Sequence, residues 1–381
     1  MMKTSAVVAA ALLATLGTMG MMGLKGMTGT MEATGVLSSQ TATPGSDPHR
    51  RFFTLGDFRL ESGVVLPNAR LAYATFGSLN ARRDNAVLVP SWYGSDHHGY
   101  DFLVGPGRAL DPAKDFIVAT EMFANGFSSS PSNTQPPFHG PDFPAIAIRD
   151  NVEAVRRLLA SELGVTHLRA IVGFSMGAQQ AFQWAVSHPD FASAIVAYCG
   201  TAKTHPHGVV RLDGAIAALT ADAAFLDGRY TSPPTKGLAA WSRHWAGWVW
   251  SQEWWRRELY KPQWATIDDA IAARIARDAV RDANNMIAQA RTWQRHNVGD
   301  TPGFEGGLER ALESIKIPVL YMPGETDLYF PIGDARYESQ FIKQVQLTPI
   351  QSLWGHSAGS GGNPVDNEFI NDQVARFLIR P

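Results

Sequence analysis

The segment Ala170-Ile171-Val172-Gly173-Phe174-Ser175-Met176-Gly177-Ala178-Gln179-Gln180-Ala181-Phe182 passes from an apolar run into a helical pattern with no loop residues between them. A strand that runs directly into a helix must reverse within two or three residues. Gly173 and Gly177 fit that demand, because a Cβ at either place would collide across the turn, and the residue between them is pressed into strained backbone geometry. The pattern predicts a strand ending at Phe174, a helix beginning at Met176, and Ser175 presented at the tip as a nucleophile. A bare Gly-x-Ser-x-Gly is common in chains of this length. The flanking strand and helix carry the inference.

A serine hydroxyl is a poor nucleophile until an imidazole accepts its proton and a carboxylate holds that imidazole in the right tautomer. On a strand-turn-helix of this kind the partners come in the order serine, acid, histidine. Ile317–Gly324 reads as a short buried strand, after which come Glu325, Thr326 and Asp327. Asp327 is the expected acid, with Glu325 and Asp334 as rivals. Val345–Ile350 gives a last strand, and Trp354-Gly355-His356-Ser357 places His356, the expected base, ahead of a final helix from Asn367 to Ile379. The oxyanion needs two backbone N–H groups. One is expected from Met176, the other from the turn Pro90-Ser91-Trp92-Tyr93-Gly94, with Trp92 favoured and Tyr93 the alternative.

These residues sit among further blocks that resemble the homoserine O-acetyltransferase-like branch of the α/β-hydrolases, from about residue 52 to the C-terminus. Gly105-Pro106-Gly107-Arg108-Ala109-Leu110-Asp111, Phe143–Asp150 and Asp327-Leu328-Tyr329-Phe330-Pro331 are similar to that family's ordered motifs. The resemblance implies an α/β-hydrolase fold, a mostly parallel central sheet flanked by helices with an inserted helical cap, and an acyl-serine mechanism. It also exposes departures. The family's acceptor-binding arginine and aspartate correspond here to Ile216 and Ser357, and Met286 stands in place of a tyrosine in the later cap segment. An aliphatic side chain cannot pair with a carboxylate, so homoserine is not the expected acceptor.

The organisation expected is an export signal and leader over 1–47, a first core part over 48–200, a helical cap over 201–303 and a second core part over 304–381. Lys3 precedes an apolar stretch from Ser5 to Leu24, which predicts a secreted or periplasmic protein. An uncleaved anchor attaching the chain to a membrane is the competing reading. Within the cap, Trp241, Trp245 and Trp248 recur at helical spacing and read as packing, whereas Trp250 and Trp254 fall off that stripe. Tyr93, Tyr329, Ser357 and Trp250 are the candidate substrate contacts. The sole cysteine, Cys199, ends an apolar run and reads as a buried hydrophobe.

A net charge of −2 argues against nucleic acid as a partner. No phosphate loop or dinucleotide fingerprint is present, and no cofactor is expected. His97 and His98 are adjacent, but no Cys, Asp or Glu at a known ligand spacing completes a set with them. They read as a solvated or substrate-facing loop, no metal is expected, and the same caution applies to His205 and His207. The partner expected is a small-molecule ester or acyl donor, with a homodimer through the cap by family analogy. Hydrolysis of a small ester is the leading expectation. Acyl transfer to an alcohol other than homoserine is the alternative, and a noncatalytic surface-binding module is the third.

Overall fold

The computed structural model describes residues 47–379. Eight strands form one sheet in the order β1-β2-β4-β3-β5-β6-β7-β8: β1 Arg51–Arg59, β2 Val65–Phe76, β3 Ala86–Pro90, β4 Phe116–Glu121, β5 Ala170–Phe174, β6 Ile195–Tyr198, β7 Val319–Met322 and β8 Val345–Leu347. The first two are antiparallel to their neighbours, and every pairing from β4 to β8 is parallel.

The central strands are buried on both faces, so they read as apolar runs rather than as alternation. Their side chains still divide by the two-residue period of a strand. Leu88, Ile171, Ile195 and Val319 point to one layer, with Val152 and Val155 of α1 (Ile148–Arg157) and Ala181 and Phe182 of α2 (Met176–Ser187). Val87, Val89, Val172, Val196 and Leu320 point to the other, against Ile370, Val374 and Phe377 near the C-terminus.

Between β6 and β7 the chain leaves the sheet for a helical insertion: α3 Pro206–Thr220, α4 Thr235–Val249, α5 Gln252–Arg256, α6 Ile267–Asp278, α7 Ala283–Gln294 and, just before β7, α8 Leu308–Glu313. α9 (Ile332–Ser339) connects β7 to β8, and α10 (Pro364–Ile379) closes the chain, beginning three residues before the expected Asn367. Trp241 and Trp245 of α4 are buried along with Leu238 and Val249, as the stripe required. The helix stops at Trp250, whose backbone turns extended (φ −106°, ψ 155°), and the Ser251 side chain starts α5 by accepting the Trp254 N–H at 3.0 Å.

The expected export segment lies outside the described residues apart from Asp47. Among the described residues no helix is long and apolar enough to cross a membrane.

Candidate active site

Parallel strands deliver the residues after their C-terminal ends to one edge of the sheet, and the catalytic candidates all stand at such ends. Ser175 is the residue after β5 and has φ 56° and ψ −122°, a left-handed conformation that a non-glycine residue adopts only when its surroundings enforce it. The enforcement is visible. A Cβ on Gly173 would lie 2.1 Å from the Gly177 carbonyl oxygen, and one on Gly177 would lie 2.5 Å from that of Pro90. The Ser175 N–H donates to the Tyr198 carbonyl at 3.0 Å, which ties the turn to β6.

Asp327 lies just beyond β7. Its Oδ1 accepts the N–H groups of Tyr329 (2.7 Å) and Phe330 (3.2 Å), leaving Oδ2 to meet His356 Nδ1 at 2.7 Å. His356, in the loop beyond β8, brings Nε2 to 3.0 Å from Ser175 Oγ. With Nδ1–H donating to the carboxylate, Nε2 carries the lone pair that faces the serine hydroxyl. Phe174 stacks under the His356 ring at 4.8 Å, and Tyr329 covers it at 4.3 Å. The rivals for the acid lie elsewhere: Glu325 faces Arg336 (3.4 Å) and Gln351 (3.2 Å), and Asp334 stands 3.8 Å from His205.

Met176 is the first residue of α2, so its N–H has no intrahelical acceptor. The N–H groups of Trp92 and Tyr93 likewise have no protein acceptor among the described residues. Their turn is held from three sides. The Trp92 ring meets Tyr100 and Phe174 edge-on at 5.0 and 4.8 Å, Gln180 Nε2 donates to the Ser91 carbonyl at 2.8 Å, and the Gly94 N–H donates to Gln289 of α7 at 2.8 Å. Rigid, unpaired donors beside a nucleophile are what an oxyanion requires.

The cap closes over this edge with aromatic rings. Tyr93 stacks on Trp241 (6.2 Å) and Trp245 (5.8 Å) and donates its hydroxyl to the Met286 carbonyl at 3.3 Å. Trp245 meets Tyr329 edge-on at 4.7 Å. Ser357, half-buried, comes after His356 in the same turn and donates its N–H to Trp354. Burial pushes the Tyr329 phenol up to about 12 and the Tyr93 phenol higher still, so both rings stay neutral.

The structure adds detail to two expectations about the cap and overturns one about the approach to it. Trp250, a candidate substrate contact, stacks flat on Trp254 at 4.6 Å, with Trp255 and Trp264 at its edges. The stripe residue Trp245, expected only to pack, is the one that reaches Tyr329. His97, expected in a solvated loop, is 2% exposed and bonded to Glu121.

Sequence reasoning missed Arg211 of α3. Its guanidinium lies 4.3 Å from the Tyr329 ring centre and 4.7 Å from those of Trp245 and Trp293, and its Nε and both Nη atoms are buried with no hydrogen-bond partner among the described residues. Burial lowers its pKa to about 10, which still leaves it charged at neutral pH. An arginine inside a helix with apolar neighbours gives no sequence signal that three rings will surround it.

Known proteins share this architecture. A model of the alpha/beta hydrolase fold matches residues 87–360. Ethyl acetate hydrolase of Pseudomonas veronii is 35% identical over 334 residues, which cover 86% of this chain and 95% of that protein. The solved structure of the acetyl esterase MekB is similar with a TM-score of 0.84 at 34% identity, across 87% of this chain and 97% of that one. Homoserine O-acetyltransferase of Chlorobaculum tepidum is 29% identical over 358 residues, 87% of this chain and 95% of that protein.

Proposed function

Because the chain belongs to the alpha/beta hydrolase fold family, we propose that it is a serine esterase that cleaves small esters of short acyl groups, acetate foremost, through an acyl-Ser175 intermediate. The observation that carries this reading is the unbroken relay from Asp327 Oδ2 through His356 to Ser175 Oγ, at 2.7 and 3.0 Å.

In the acylation step Ser175 Oγ attacks the ester carbonyl while His356 Nε2 takes its proton. Asp327 stabilises the imidazolium that results. The carbonyl oxygen becomes an oxyanion between the N–H groups of Met176 and Trp92, whose turn is already fixed and need not reorganise. Collapse of the tetrahedral species expels the alcohol, which takes the proton from His356. Water then repeats the sequence on the acyl-serine, and His356 is the base again. Tyr93 and Tyr329, neutral and packed by the cap tryptophans, shape an apolar wall suited to a short acyl chain.

Hydrolysis is favoured over transfer because the positions corresponding to the transferases' acceptor anchors hold Ile216, Ser357 and Met286. Transfer to another alcohol is the second reading. It is supported by the similarity to homoserine O-acetyltransferases and by a serine only 1% exposed, since transfer demands exclusion of water. Turnover of ethyl acetate and of p-nitrophenyl acetate and butyrate, with and without a panel of alcohols, separates the two. Release of acetate that alcohols leave unchanged supports the esterase. A burst of p-nitrophenol and then a stall that only an alcohol relieves supports the transferase.

For residues 1–47 the reading is an export signal and leader, supported by the apolar stretch from Ser5 to Leu24. Mass spectrometry of the N-terminus of exported protein tests it. A mature start between Leu24 and Asp47 is expected, and an intact Met1 in the membrane fraction would make the stretch an anchor instead.

A further inference from the structure

We propose that Asp47, His97 and His98 form a binding site for a divalent transition-metal cation of the zinc type, a structural staple separate from the catalytic serine. The two histidines open a short helical turn, His97–Tyr100, that comes after the oxyanion segment, and their ring centres lie 4.2 Å apart. Both Nε2 atoms lie 2.9 Å from the same oxygen, Asp47 Oδ2, contributed by the stretch of chain leading into β1. The opposite nitrogen of each ring is backed by a carboxylate: His97 Nδ1 lies 2.7 Å from Glu121 and His98 Nδ1 lies 3.1 Å from Asp101. Carboxylates behind both rings orient them so that both Nε2 atoms face Asp47, the arrangement that supports histidine ligands at metal centres once an ion takes the place of the Nε2 proton that His98 donates to Asp47.

Hydrogen bonding alone serves this arrangement poorly. Two ring nitrogens converge on one oxygen, and His97 Nε2, in a residue only 2% exposed, has no hydrogen bond of acceptable geometry among the described residues. The charge is also one-sided. Asp47, Asp96 and Glu121 are gathered around one guanidinium, Arg50, which bonds Asp96 at 3.0 Å and Glu121 at 2.9 Å and stands 3.8 Å from Asp47. These three carboxylates and one guanidinium leave two negative charges, which a divalent ion matches.

The donor set selects the ion. Two imidazoles and a carboxylate suit zinc and its neighbours, whereas magnesium and calcium take oxygen donors. Tetrahedral zinc with bonds of about 2.0–2.1 Å separates its ligand atoms by about 3.3 Å. The observed contacts need to open by only a few tenths of an ångström. The other grouping nearby, Asp96, His97 and Glu121, is already claimed by Arg50. An ion at Asp47 would tie the entry to β1 to the loop that carries Tyr100, whose hydroxyl donates to Pro90 and accepts the Phe174 N–H beneath the active site. Its effect is therefore expected on stability and not on the chemical step.

The test is calorimetric titration of chelator-treated full-length protein with zinc chloride and, separately, magnesium chloride, with melting temperatures recorded in both. Expected are one zinc per chain at micromolar affinity or better, a Tm raised by zinc and not by magnesium, and at least a tenfold loss of zinc affinity in both His98→Ala and Asp47→Asn. Ester turnover by either variant is expected to stay within about twofold of the parent. His98 is half-exposed and Asp47→Asn keeps the size of the side chain, so the fold survives both substitutions. No zinc binding, or binding that both variants retain unchanged, overturns the proposal.

Discussion

The sheet edge and the cap meet at His356, and they are built on opposite principles. At the sheet edge the functional atoms are placed by directional contacts. Ser175 is locked by its turn, Asp327 by the N–H groups of Tyr329 and Phe330, and the oxyanion turn by β3 and α2. In the cap the rings over the site are placed by packing, while hydrogen bonds of Asn285, Gln289 and Thr292 tie its base to the core. Trp245, Trp254 and Trp293 are buried with indole nitrogens unpartnered among the described residues, and Arg211 sits among rings with no acceptor there. Directional contacts give a reaction its geometry to tenths of an ångström, while stacked rings give a pocket its shape and its dryness. Catalysis should therefore be brittle at the sheet edge, and stability brittle in the cap.

The largest break in that contrast is Ser175→Ala. Removal of the nucleophile from a triad costs on the order of 10⁶ in kcat, equivalent to about 8 kcal/mol, with folding unaffected. A steady-state assay with p-nitrophenyl acetate beside a thermal melt checks both halves. Loss of activity accompanied by a large fall in Tm would mean that the strained turn stabilises the sheet as well. Next comes Asp327→Asn, which leaves His356 without the partner that selects its tautomer and should lower kcat on the order of 10⁴. Glu325→Gln, confined to contacts with Arg336 and Gln351, should change kcat by less than about threefold. The reverse pattern would move the acid.

For the cap the prediction inverts. Trp254 is 0% exposed and stacked on Trp250, so Trp254→Ala should cost about 3–5 kcal/mol of stability through lost contacts and the cavity left behind. The folded fraction should nonetheless turn over ester at close to the parental rate. Chemical denaturation monitored by fluorescence, with activity normalised to folded protein, tests the pair of expectations. A fall in kcat beyond tenfold would show that cap packing also positions the reacting groups.

The same division explains what is legible in the sequence. The elbow is legible because its constraint is local: two glycines, a serine, a strand before and a helix after. Asp327 and His356 are legible because chain order and strand ends restrict where such residues can stand. The stacking of Trp250 on Trp254 is not legible from periodicity because the helix ends there and Ser251 caps the next one. Arg211 escapes because helical spacing says which residues are buried together, and nothing about a cation shared by rings from α4, α7 and the loop after β7. The partners of His97 and His98 escape for a further reason: Asp47 is 51 residues from His98 in sequence, and Glu121 is brought close only by the pairing of β4 beside β3.

A pH-dependent effect concerns His296, where the cap returns to the core. Its ring is enclosed, and burial, reinforced by the positive charge of Arg149, lowers its pKa from 6.5 to about 3. The folded protein thus holds a neutral ring between those two values, while the unfolded chain binds a proton there. Because the unfolded state carries the extra proton, stability must fall as pH drops from 6.5 toward 3, at about 1.4 kcal/mol per pH unit for one proton at full effect. His188 and His244, also lowered by burial, pull in the same direction, so the informative quantity is a difference between two proteins. Between about pH 5 and 6, above the range of the carboxylates, the slope of unfolding free energy against pH should be shallower in His296→Gln by close to that one-proton value. Parallel slopes for parent and variant would mean that water reaches the ring, and that the junction between cap and core is less sealed than the rings around Tyr329.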